Sequence, residues 1–222
     1  DQSELLAQTF ISKVEPIHRD LMRAGNKTVM VYDLHPDSFS VLSEKATTVE
    51  VLESDEQQAF PSTIDVESLS SIGENTKLIH QEVIGSKSFF YFSTKRTITE
   101  KKKLSVTMFD LPEEVRKELS KYSTITGLSE QPRQFIDVVV LDHVNHRLEL
   151  RLDIAHAVSS RDLSSLFDRL RYSFKNKLKV QDSINLYTNP INFFPMIAHT
   201  YDNSDIRVCE ISFTTDGYVH HE

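Results

Sequence analysis

Residues 148–154, Leu-Glu-Leu-Arg-Leu-Asp-Ile, alternate apolar and charged side chains without a break. That period of two belongs to a half-buried antiparallel strand. Phe135–Leu141, an apolar run of strand length, lies just before it, and the polar segment Asp142–His146 between them reads as a hairpin turn. Downstream, Leu163, Leu166, Phe167, Leu170, Phe174 and Leu178 recur at helical spacing. A helix with such a stripe must bury it, and the apolar face of the neighbouring hairpin is the natural partner. The expected fold class is therefore α+β: a mainly antiparallel sheet with a central hairpin (about 135–154), packed by a long amphipathic helix (about 161–178) and an N-terminal helix.

The chain has 222 residues, enough for one α+β domain with a real core. A single domain over 1–222 is expected, with a sub-boundary in the polar loop 53–76. The first residue is Asp and a strand is expected close to the last, so the reading is of the N-terminal part of a longer protein. No apolar run reaches the roughly 18 residues of a membrane span, and one cysteine leaves no internal disulfide. A cytoplasmic protein is expected. The five glycines are scattered, which excludes Gly-rich phosphate loops, and no G-x-S-x-G elbow marks a hydrolase. The net charge of −8 is concentrated in residues 1–80, which hold 14 acids and 6 bases.

In order, residues 3–23 read as a helix with Leu6, Phe10, Val14, Ile17 and Leu21 on one face, kinked or split at Pro16 and ended by Gly25. Strands are expected at Thr28–Tyr32, Phe39–Leu42 and Val49–Leu52, then a short helix over Val66–Ile72 capped by Asp65. Lys77–Val83 and Ser88–Thr99 read as strands, with Lys103–Phe109 returning as another. Phe89–Phe92 must point to both faces of a sheet, which implies burial on both sides. Asp110 is expected as the N-cap of a helix with Pro112 in its first turn and Glu113 closing a capping box. Gly127 and Pro132 are expected in the connection to the hairpin. Further strands are expected at Ser183–Tyr187 and Ile206–Thr214, the latter burying Cys209 and followed by a turn at Asp216-Gly217.

One acidic constellation bears on chemistry. Asp137, Glu149 and Arg151 resemble the strand-borne acid and E-x-K pair of PD-(D/E)xK nucleases, in which two carboxylates hold Mg²⁺. Arg151 in place of the lysine is a poor proton acceptor, so a divergent metal-dependent nuclease using Asp137 and Glu149 is the alternative reading, with Mg as its cofactor. His143, His146 and His156 near Asp153 lack the partners of a zinc motif. The leading reading is a non-catalytic binding or assembly module without cofactor. Its basic candidates are Lys95, Arg96, Lys101, Lys102 and Lys103, expected in a turn, and Arg169, Arg171, Lys175, Lys177 and Lys179 on the long helix. Arg171 and Lys175, four residues apart, are expected to flank the apolar stripe and project together. The expected partner is a protein, a further domain of the same chain, or the phosphate backbone of DNA or RNA, and no membrane.

Overall fold

The computed structural model describes residues 2–105, 110, 112–122, 124–154, 160–180, 189–196, 199, 213–214 and 220–221, with backbone alone for 2–11, 160, 213–214 and 220–221. The chain divides into two compact units, Asp1–Thr188 and Asn189–Glu222. In the first, the elements run α1 (Gln2–Ala24), β1 (Lys27–Asp33), α2 (Pro36–Thr47), α3 (Asp55–Ala59), α4 (Val66–Ser71), β2 (Lys77–Ile84), β3 (Lys87–Leu104), α5 (Glu113–Leu119), β4 (Ile125–Asp142), β5 (Arg147–Asp153) and α6 (Ser160–Lys177). The second contains the short pair β6 (Phe213–Thr214) and β7 (His220–His221), joined antiparallel. Among the described residues, no helix is long and apolar enough to cross a membrane.

Five strands form one antiparallel sheet in the order β1-β5-β4-β3-β2, so the fold is α+β. The hairpin β4–β5 pairs Val138–Asp142 with Arg147–Arg151. Its turn is held by Asp142, whose Oδ1 accepts the N–H groups of Val144 and Asn145, both at 3.1 Å. Opposed residues in a sheet share a face, which sorts the core into two layers. On one face Phe90, Phe92, Val139, Leu141, Leu148, Leu150 and Leu152 pack under Phe167, Leu170 and Phe174 of α6 and Phe39 and Leu42 of α2. On the other, Ile79, Phe89, Tyr91, Ile136, Val138 and Val140 meet Met22 of α1 and Phe60. The four aromatics 89–92 are thus buried on both sides, and the stripe of α6 is buried where the strand alternation required.

Several local expectations are corrected. Phe39–Leu42 is helix: Pro36 occupies the first turn of α2, and Phe39, Leu42 and Ala46 at helical spacing are its buried residues. Val49–Leu52 pairs with no strand. Pro16 does not split α1. The expected turn after Thr99 is absent, because β3 runs on to Leu104 and pairs in unbroken register with β4 from Lys87↔Asp142 to Leu104↔Ile125. Gly127 and Pro132 lie inside β4. Helix α5 starts at Glu113 behind Pro112 and has no side-chain cap, so Asp110 does not serve as one. Asp65 does cap α4, accepting the Ser68 N–H at 2.8 Å. The segments 106–109, 183–187 and 206–212, Cys209, His156 and the turn at 216–217 lie outside the described residues.

Candidate functional site

Asp137 and Glu149 come from adjacent strands but opposite faces. Asp137 stands opposite Phe92 on the α6 face, whereas Glu149 stands opposite Val140 on the α1 face. The sheet therefore separates the two carboxylates that one Mg²⁺ would have to bridge, and each is held by protein cations. Asp137 is buried, hydrogen-bonds the Arg96 guanidinium, and accepts the Asp153 N–H at 2.9 Å. Burial pushes its carboxyl above the ordinary range, with the charge of Arg96 acting in the other direction. Glu149 accepts from Arg151 Nη2 at 2.5 Å and from Lys87 Nζ at 3.0 Å. Burial alone would push the Glu149 carboxyl up, but these two cations outweigh it and hold it below its usual value. Arg151 also donates to the Arg23 carbonyl at 2.7 Å, so the pair ties the end of α1 to the sheet. Among the described residues no group of three or more His, Cys, Asp or Glu side chains could hold a metal ion.

The histidines of the hairpin turn are packing residues. His143 lies between the hydroxyls of Ser43 at 3.2 Å and Ser88 at 2.8 Å, and both His143 and His146 rest against the Phe39 ring.

Four of the ten basic candidates are used internally. Arg96 is the partner of Asp137 and lies over the Phe135 ring at 4.8 Å. Lys95 Nζ donates to the Ile72 carbonyl at 2.7 Å, just past the end of α4. Arg171 and Lys175, expected to project, are instead 8% and 7% exposed. Arg171 donates to the Tyr32 hydroxyl at 2.8 Å and lies over that ring. Arg169 and Lys177 line one wall of a groove of about 850 Å³ with Tyr172 and Asn176, against Glu53, Glu74 and Lys77 on the other side. Lys179 is exposed just beyond α6.

The remaining three, Lys101, Lys102 and Lys103, are exposed on β3. They stand where, among the described residues, β3 has no third strand beside it: β2 reaches only to Ser93, and β5 only to Val138 of β4. Beyond that, Thr97–Leu104 and Ile125–Pro132 form a two-stranded ribbon of about 25 Å at strand rise. Lys101 and Lys103 share one face with Leu128 and Thr126, and Lys102 stands opposite Gly127 on the other. Among the described residues none of the three has a carboxylate partner, while Glu100 is taken by Arg133 at 2.5 Å. Thr97–Thr99 falls within an expected strand, but the opposite arm, Ile125–Pro132, escapes a sequence reading because it is mostly polar and holds Gly127 and Pro132, leaving only the β-branched Ile125 and Thr126 as a signal. No protein-family model matches the chain, and no curated protein matches it.

Proposed function

We propose that this chain is a non-catalytic binding module that grips the phosphate backbone of nucleic acid with the β3–β4 ribbon. The supporting observation is the run Lys101–Lys103 on a ribbon with no third strand, charged on both faces and without carboxylate partners among the described residues. Cations on one face would suit a flat anionic surface. Cations on both faces suit a groove with phosphates on either side, and a two-stranded ribbon fits the roughly 12 Å major groove of a duplex. Each lysine that neutralises a phosphate releases condensed counterion, so affinity should fall steeply with salt. The acidic balance of the first 80 residues opposes nonspecific coating and favours contact through the ribbon alone.

The test is duplex binding at several salt concentrations by the wild type and by Lys101→Ala/Lys102→Ala/Lys103→Ala. The variant should bind more weakly, with its log–log salt slope smaller by about 2.7, three contacts at about 0.9 each. Its melting curve should match the wild type, because all three side chains are exposed. Absence of wild-type binding at low salt, or an unaltered slope in the variant, would reject the proposal.

A further inference from the structure

Helix α1 faces the sheet with its polar side. Toward the sheet it presents Arg19, over the Phe60 ring, and Arg23, over the Phe89 ring and paired with Glu82 at 3.2 Å. Met22 is its one buried apolar side chain among the described residues. The apolar stripe points the other way: Val14 is 41% exposed, Ile17 60% and Leu21 60%. Water on such a stripe is unfavourable by the same area argument that buries α6, so the stripe has the character of an interface.

Its spacing identifies the kind of partner. Val14, Ile17 and Leu21 are separated by three and four residues, and in the sequence Phe10 and Ala7 before them and Ala24 after them continue the alternation. This is the 3-4 repeat that lets one helix lie along another. The repeat is also self-complementary. When two copies run antiparallel about their midpoint, Val14 meets Ile17, Phe10 meets Leu21, and Ala7 meets Ala24 of the other copy. The flanking positions before Val14 and Leu21 are Lys13 and Asp20, which such a register sets against each other twice, once on each side of the two-fold axis. A parallel pair would set Lys13 near His18 and leave Asp20 without a cation on the facing helix.

From the outward stripe and this charge pattern we infer that α1 pairs with α1 of a second copy, antiparallel and two-fold symmetric. An isologous contact of this kind closes on itself and gives a dimer, not a filament. The paired stretch spans about 26 Å of helix at 1.5 Å per residue, toward the small end of specific interfaces, so the dimer should dissociate on dilution.

Sedimentation equilibrium of the whole chain across a dilution series tests this. The wild type should reach twice the monomer mass at high concentration. Ile17→Glu should remain monomeric with an unchanged melting curve, because the residue is largely exposed. Lys13→Glu alone and Asp20→Lys alone should each weaken the dimer at least tenfold, and the double exchange Lys13→Glu/Asp20→Lys should restore it. Both positions are exposed, so the exchange remains informative even if Ile17→Glu fails to fold. A wild type that stays monomeric at every concentration overturns self-pairing and assigns the stripe to a helix of another protein. A dimer indifferent to Ile17→Glu, or single exchanges that the double does not rescue, overturns the antiparallel register.

Discussion

Glu149 carries more of the structure than a charge on an alternating strand would suggest. With 9% exposure and hydrogen bonds from both Lys87 and Arg151, its removal leaves Arg151, over the Phe89 ring, without a carboxylate, while Lys87 keeps Asp142 at 3.1 Å. Glu149→Ala should cost about 1.5–3 kcal/mol, the scale of hydrogen bonds to charged groups, measured by denaturant unfolding. The same contacts set an acid limit. Glu149 and Asp142 both have carboxyls held below their ordinary range: burial opposes this, but Arg151 and Lys87 prevail at Glu149, and Asn145 and Lys87 at Asp142. A depressed carboxyl contributes stability that is complete above its unfolded value, about 4, and drains away as pH falls toward the folded one. Melting temperature should therefore drop below about pH 4, and Glu149→Gln should flatten that drop.

At the scale of elements, two helices with similar stripes behave in opposite ways. Leu170 of α6 is buried beneath the sheet, so Leu170→Ala should cost about 2–5 kcal/mol. Ile17 of α1 is exposed, and Ile17→Ala should change the monomer's unfolding free energy by no more than about 0.5 kcal/mol. The contrast explains what could be read from residues alone. Leu148–Ile154 and Leu163–Leu178 were legible because each has one strong period and one face to bury. The 3.6-residue period of α1 was equally legible, but periodicity identifies a face without saying what covers it. Phe39–Leu42 was misread because four residues cannot separate periods of two and 3.6, whereas the longer set Phe39, Leu42 and Ala46 after Pro36 does. The opposition of Asp137 and Glu149 could be reached only through register: a spacing of 12 residues says nothing about faces until the hairpin pairs Val140 with Glu149.

For the molecule as a whole, stability should be graded from the middle of the sheet outward. Phe89–Phe92 lie between two neighbouring strands and two apolar layers, while the ribbon beyond Thr97 has one neighbour and mostly polar side chains. Amides of Thr97–Leu104 should exchange with solvent through local openings well before those of Phe89–Phe92, which should exchange near the global unfolding limit. Hydrogen exchange followed residue by residue checks this ordering, and equal protection along β3 would contradict it.

The position of β1 also has a consequence for how the chain is made. Among the described residues β1 has one neighbour, β5, and its register runs from Lys27↔Asp153 to Asp33↔Arg147. The strand formed first in synthesis therefore bonds to the strand of this sheet formed last, more than a hundred residues later. At ribosomal speeds that is a wait of roughly 6–24 s, during which Val29, Met30, Val31 and Tyr32 have no edge to join. The same delay applies to the bond between Arg151 and the Arg23 carbonyl that fastens the end of α1. Nascent chains halted before Arg147 should thus hold an unpaired apolar strand, a natural target for chaperones that bind extended segments, and should release it when β5 emerges.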